Sequence, residues 1–129
     1  MKNFLLYTIL MTFTSLAQAE WLKLVEDKEM KLFVETNSIK KLGNIVTYWE
    51  LFDYSNIQSV NEKQYYSKKI KKELNCNAEE YNTLTATAYS ENMGFGKVVQ
   101  SYKYDSKEFE HIIPETIGYR VYKFVCNKK

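Results

Sequence analysis

The sequence has few of the residues that interrupt regular structure: four Gly and one Pro in 129 residues. It is instead rich in large rings, with eleven Tyr and seven Phe. Aromatic side chains fill a pleated, half-buried surface well, so this composition favours strands over an all-helical or low-complexity chain. With 45% hydrophobic and 26% charged residues, the length and composition predict one globular domain.

Residues that often carry catalysis or bind metals are also scarce. His111 is the one His, and it lies in a charged stretch without a nucleophile motif around it. Cys76 and Cys126 form no C-x-x-C motif and lack the short spacings of zinc sites. The glycines Gly94 and Gly96 form a turn-sized G-x-G without the rest of a nucleotide motif. The sequence therefore predicts no enzyme, no metal site and no cofactor.

A large excess of charge of one sign is absent. The chain has 18 basic and 16 acidic residues. Without the N-terminal segment discussed next, 17 basic residues face 16 acidic ones, a net charge of +1. Bulk charge thus predicts no nucleic-acid partner, and any basic surface must come from local clustering.

The one long apolar run lies at the N-terminus. Lys2 precedes a mostly apolar stretch over residues 4–16, and the AQA of residues 17–19 has the small-x-small pattern of a cleavage site. A membrane anchor is the alternative, but about thirteen residues fall short of the roughly 20 that span a bilayer. We therefore expect residues 1–19 to be a signal peptide and residues 20–129 a mature domain without a transmembrane segment. No Cys for lipid attachment follows the run, which predicts a periplasmic or secreted location.

Two Cys in an exported chain predict one disulfide, between Cys76 and Cys126. A disulfide across a loop of about fifty residues stabilises a fold by roughly 2 to 4 kcal/mol, because it lowers the conformational entropy of the unfolded chain. The bond is expected to fasten the C-terminal segment to the end of a strand.

The run from Asn44 to Tyr54, NIVTYWELFDY, is rich in β-branched and aromatic residues on both of its alternating faces. A strand that is apolar on both faces is typical of the middle of a sheet with a helix or second layer on one side. We predict five further strands and one mobile loop. The strands span 21–26, 30–35, 64–75, 79–89 and 97–104, and the loop spans 55–63.

The C-terminal segment is predicted to be a helix that begins near Pro114, because Pro is favoured in the first turn. Ile117, Val121, Phe124 and Val125 then fall on one helical face. A strand is the rival interpretation, since Tyr and Val also favour strands. The predicted fold class is α+β: a six-stranded twisted antiparallel sheet with a C-terminal helix packed on it and one disulfide.

Several spacings together resemble the surface-adhesin protein E family. They occur in the family's order over nearly the whole mature chain: Trp21, Glu35-x-x-Ser38-Ile39, Gly43, Trp49-x-Leu51-x-Asp53-Tyr54, Ser67-x-Lys69-x-x-x-Glu73-x-x-Cys76, Tyr89-x-x-x-Met93-Gly94-x-Gly96, Pro114 and Cys126.

The resemblance implies a bacterial exported domain that works by binding a protein, with host matrix or serum proteins as the expected partners. An envelope structural or accessory protein without an adhesin role is the alternative, and a small hydrolase is a third class that would require a cleft with perturbed titratable groups. The residues themselves identify neither the partner nor the oligomeric state. They also do not distinguish the periplasm from the extracellular space.

One local cluster of charge stands out in this nearly neutral chain: Lys68, Lys69, Lys71 and Lys72 lie within five positions. In one interpretation these lysines protect an edge strand from pairing with another chain. In the other they bind a partner. Alternation along a strand then places Lys69 and Lys71 on one face, and Lys68 and Lys72 on the other.

Overall fold

A computed structural model describes residues 18–105 and 107–128. Residues 1–17, which hold most of the predicted signal peptide, lie outside the described residues. The elements, in chain order, are β1 Trp21–Glu26, β2 Met30–Glu35, a short 3-10 turn Thr36–Ser38, β3 Lys40–Leu42, β4 Ile45–Val60, β5 Lys63–Asn75, β6 Glu80–Tyr89, a second 3-10 turn Asn92–Gly94, β7 Val98–Lys103, β8 Glu110–His111 and α1 Ile117–Asn127.

The strands form one antiparallel sheet in the order β1-β2-β4-β5-β6-β7. The six predicted strands are therefore present, and β4 is central as its two apolar faces predict. Two short strands extend the sheet, β3 beside β4 and β8 beside β6. Neither strand was predicted. β3 has three residues and β8 has two, all of them exposed, so neither shows an alternation of apolar and polar side chains.

The predicted mobile loop over 55–63 is wrong. β4 continues to Val60 and β5 begins at Lys63, so the two strands form one long hairpin. Asn61 and Glu62 make the turn with φ of 47° and 64°. Two positive φ values match the twist that a two-residue hairpin turn requires. The polar residues misled the prediction because this part of the hairpin extends beyond the core and needs no apolar face.

One face of the sheet is covered by α1, as predicted. Val121 and Val125 are buried against the apolar side chains of the first strands, whereas Ile117 is partly exposed. The sheet contributes these buried residues to the core: Val25, Met30, Leu32, Val34, Val46, Tyr48 and Leu74. We call this side of the sheet the helix face and the opposite side the open face.

The helix begins three residues after Pro114, at Ile117. Thr116 is its N-cap, and the Thr116 hydroxyl accepts a hydrogen bond from the Tyr119 backbone N–H at 3.2 Å. A side-chain cap satisfies a free N–H at the helix start, which is why the cap and not the proline sets the first residue. The helix is confirmed over the rival strand.

The predicted disulfide is confirmed: Cys76 after β5 is bonded to Cys126 near the end of α1, with their Cα atoms 5.7 Å apart. The Tyr122 hydroxyl donates to the Cys76 carbonyl at 2.6 Å, and Lys41 Nζ donates to the Cys126 carbonyl at 3.2 Å. The C-terminal half of the helix is thus fastened to β3 and β5. In the part of the chain that the structure describes, no helix is long and apolar enough to span a membrane.

Candidate functional site

The four clustered lysines lie on β5, which is paired with β4 on one side and β6 on the other. The edge-protection interpretation is therefore wrong, because β5 offers no free edge to protect. Alternation along the strand separates the lysines into two pairs. Lys68 and Lys72 lie on the helix face and Lys69 and Lys71 on the open face, as their cross-strand partners and ring contacts demonstrate.

On the helix face, Lys72 is paired with a buried acid. Lys72 Nζ lies 2.6 Å from Glu50 Oε1, and the Tyr48 hydroxyl donates to Glu50 Oε2 at 3.0 Å. Glu50 is only 1% exposed, so its charge is compensated within the protein. Burial, together with the adjacent Glu50 carboxylate, raises the pKa of Tyr48 well above its usual value and keeps that hydroxyl a donor.

Lys68 extends over aromatic rings on the same face. Its Nζ lies 5.0 Å from the centre of the Phe52 ring and 5.9 Å from that of Tyr54. Burial lowers the pKa of Lys68, the neighbouring Lys72 lowers it further, and Glu50 acts in the opposite direction. Its stem packs along apolar surface. Both lysines of the helix face thus make internal contacts.

On the open face, Lys69 lies between aromatic side chains from strands distant in sequence. Its Nζ is 5.2 Å from the centre of the Tyr89 ring and 5.8 Å from that of Trp21. These rings border a hollow of about 490 Å³, whose lining residues are Gln18, Ala19, Trp21, Glu35, Asn37, Trp49, Lys69, Thr87 and Tyr89. We call it the open-face hollow.

Register explains why these side chains meet. Trp49 on β4 is opposite Lys71 on β5, and Leu51 is opposite Lys69. Lys69 is in turn opposite Thr87 on β6. Opposed residues in antiparallel strands point to the same side, so the pairs form a continuous row across the open face.

The loop between β6 and β7 closes one end of this row. Asp53 Oδ1 accepts from the Met93 backbone N–H at 2.8 Å, and Ser67 Oγ accepts from the Gly94 N–H at 2.8 Å. Gly94 has a φ of 76°, and a Cβ at this position would lie 2.5 Å from Lys69 Cε. The glycine therefore serves both the turn and the close passage of the lysine stem.

The charges of the open face are unequally satisfied. Asp53 is held by the loop, and Glu73 Oε1 accepts from Asn82 Nδ2 at 3.1 Å. Among the described residues, neither Lys69 nor Lys71 has a carboxylate oxygen within 4.0 Å. Strand β5 consequently presents two ammonium groups on the open face, beside three aromatic rings. Such a surface suits an anionic partner.

The sequence did not identify Trp21, Trp49 and Tyr89 as parts of one site. These residues meet because of the register of five neighbouring strands, β1, β2, β4, β5 and β6. The register of β4 with β5 was not predicted, because residues 55–63 were predicted to be a loop and not part of a hairpin. The shared alternation of Trp49 with Leu51, and of Lys69 with Lys71, was the available signal.

Metal binding and catalysis by His111 are the other functions that the described residues allow us to examine. No group of three or more His, Cys, Asp or Glu among them is arranged to hold a metal ion. His111 is exposed, and its Nδ1 lies 3.7 Å from a carboxylate oxygen of Glu80. That His111 has no catalytic role stays a prediction.

Taken together, the fold and the site define a class of small β-rich domain, in which one helix is fastened to one face of an antiparallel sheet and does not cover the other face. Residues 21–127 match the model of a protein family described as surface-adhesin protein E. The chain belongs to this family, which is one of bacterial surface adhesins.

Solved structures give the same assignment of fold. The structure of Haemophilus influenzae protein E matches with a TM-score of 0.62 at 17% identity, covering 84% of this chain and 88% of that one. The protein from non-typeable H. influenzae matches with a TM-score of 0.55 at 16% identity, covering 87% and 78%. A search of curated proteins yields no significant match.

Proposed function

We propose that this chain is an exported, non-enzymatic binding domain that engages an acidic segment of a protein partner with its open face. Lys69 and Lys71 are the cations of this contact, and Trp21, Trp49 and Tyr89 are its aromatic surface. One observation carries the proposal: the two lysines that β5 presents on the open face have no carboxylate oxygen within 4.0 Å in the described structure, whereas Lys72 on the other face of this strand has one. Membership of an adhesin family supports a protein as the partner, with host matrix or serum proteins as the expected class.

Binding is tested with a double variant, Lys69→Gln with Lys71→Gln, which removes both charges and keeps most of each stem. A synthetic poly-glutamate peptide serves as the probe. We expect the double variant to bind the peptide at least about tenfold more weakly, since close charge pairs at interfaces are worth on the order of 1.5 kcal/mol or more. Its affinity should also depend less on ionic strength, because fewer charges are screened.

The matched control is Lys28→Gln with Lys63→Gln, which removes two exposed charges outside the open-face hollow. It has the same net charge as the test variant. If both double variants lose affinity equally, net charge and not the open face determines binding, and the proposal fails.

An accessory role inside the periplasm is the second candidate. It is favoured by the disulfide between Cys76 and Cys126, since such bonds form and persist in the bacterial periplasm. Fractionation distinguishes the two candidates: protein at the cell surface or in the medium supports the adhesin, and protein confined to the periplasm excludes it. A pull-down with the domain identifies the partner in either case.

A further inference from the structure

Glu35, the last residue of β2, has a carboxylate that is buried without a cation in the described structure. The residue is 8% exposed. Its Oε1 accepts hydrogen bonds from two backbone nitrogens, that of Glu20 at 2.7 Å and that of Asn37 at 3.2 Å. No Lys, Arg or His nitrogen in the described ranges lies within 4.0 Å of it. A buried ion is costly unless an opposite charge accompanies it, so this position lacks an expected partner.

The nearest donor is the atom that removal of the leader would convert into a cation. Hydrolysis of the peptide bond between Ala19 and Glu20 gives the hydroxyl of water to the Ala19 carbonyl carbon and its proton to the Glu20 nitrogen. The released amine takes up a second proton from solvent, since α-amino groups have a pKa of about 7.7 to 8.0. An amide with one N–H thus becomes an ammonium with three.

We propose that Glu35 is the docking site for the amino terminus of the mature chain, so that cleavage after Ala19 creates an ion pair between the Glu20 ammonium and the Glu35 carboxylate. This inference rests on the predicted cleavage site and does not depend on which partner the open face binds.

The backbone around Glu20 is already held in the position that the pair requires. The Thr36 N–H donates to the Glu20 carbonyl at 2.9 Å, and the next residue, Trp21, is opposite Glu35 in the sheet. The Glu35 carboxylate is oriented in turn by the Asn37 N–H. Neither contact involves a residue before Glu20, so the geometry persists after cleavage.

Cleavage also changes the open-face hollow. Gln18 and Ala19 line it, and the Gln18 carbonyl accepts from Asn37 Nδ2 at 3.2 Å. Their removal would take two of its nine lining residues away, and the proposed ammonium would lie beside Glu35, which also lines it.

The test is a thermodynamic cycle between the N-terminus and Glu35. Chain 20–129, which contains every described strand and the helix, is compared with chain 18–129, in which the free amine is displaced by two residues. Each is made with Glu35 and with Glu35→Gln, which keeps a hydrogen-bond acceptor and removes the charge. We expect chain 20–129 to melt about 3 to 6 °C above chain 18–129, a shift typical of one charged interaction in a domain of this size. Glu35→Gln should abolish that difference.

Glu73→Gln is the matched control, because Glu73 lies on the same face but accepts from Asn82 and not from the N-terminus. It should leave the difference between the two chains intact. Equal melting temperatures of the two chains with Glu35 present, or a difference that persists with Glu35→Gln, would overturn the proposal.

A second measurement does not depend on the stability of Glu35→Gln. The α-amine of chain 20–129 should react with cyanate at least about tenfold more slowly than that of chain 18–129, since an ion-paired ammonium is the unreactive form and a tenfold ratio corresponds to 1.4 kcal/mol. Equal rates would contradict the pairing. Neither measurement involves the poly-glutamate peptide, so a failure here is distinguishable from a failure of the proposed function.

Discussion

The two faces of the sheet use the same residue type in different ways. On the helix face, Lys72 contacts the buried carboxylate of Glu50 at 2.6 Å. On the open face, Lys69 contacts the rings of Trp21 and Tyr89, and no carboxylate oxygen of the described structure lies within 4.0 Å of its Nζ. Four lysines within five positions thus belong to two environments, one in which a buried carboxylate compensates the charge and one in which no carboxylate oxygen of the described structure lies within 4.0 Å.

This contrast means that consecutive like charges along a strand do not form one charged surface patch. Alternation divides it, and the residues opposite each lysine decide whether its charge is satisfied. In this sheet the deciding residue is Glu50. It occupies a position between Tyr48 and Phe52 where alternation predicts a core side chain, and it is buried together with its cation.

The strongest predicted effect separates the faces by stability. Lys72→Met keeps the stem but leaves Glu50, which is 1% exposed, without its cation. Breaking a buried pair by removing one partner typically costs about 3 to 5 kcal/mol. Lys71→Met, on the open face of the same strand, should change the free energy of unfolding by no more than about 0.5 kcal/mol. Urea unfolding of the two variants measures both values.

A comparable loss of stability from the two substitutions would mean that Lys71 contributes as much to the fold as Lys72 does, and the contrast between the faces would be lost. Adding Glu50→Gln to Lys72→Met serves as a control, because neutralising the unpaired acid should restore part of the lost stability.

The second predicted effect is the loss of stability when the disulfide that holds the helix against the sheet is removed. Cys126→Ser should destabilise the domain by about 2 to 5 kcal/mol, the usual loss for a small secreted domain. Because the bond fastens α1 to the end of β5, amide exchange in Ile117–Asn127 should accelerate before exchange in β4 does. Simultaneous acceleration in both elements would indicate that the helix is not a separately opening unit.

Much of the fold could be predicted because it follows from local alternation. β1 and β2 begin and end at the predicted residues, since each alternates over six positions and a short polar turn joins them. The disulfide followed from the number of Cys in an exported chain. The helix was predicted from its apolar period, although its first residue depends on the Thr116 cap and not on Pro114.

The rest required knowledge of register. The turn at Asn61 and Glu62 lacks the Gly that usually marks a two-residue hairpin, and the polar strands beside it have no buried face. Without that hairpin, the positions opposite Lys69, Lys71 and Lys72 could not be assigned. The separation of the lysines onto two faces was predictable, but Glu50 as a partner and the meeting of Trp21, Trp49 and Tyr89 were not.

The chain offers a direct probe of the open face, because its two Trp both line the open-face hollow. Ile112 and Val125 are buried on the helix face and give methyl signals from the other side of the sheet. Titration with the poly-glutamate peptide, followed by nuclear magnetic resonance, reports both sides at once. We predict that the indole N–H signals of Trp21 and Trp49 shift while the two sets of methyl signals stay in place. Shifts of the methyl signals with unchanged indole signals would contradict the assignment of binding to the open face.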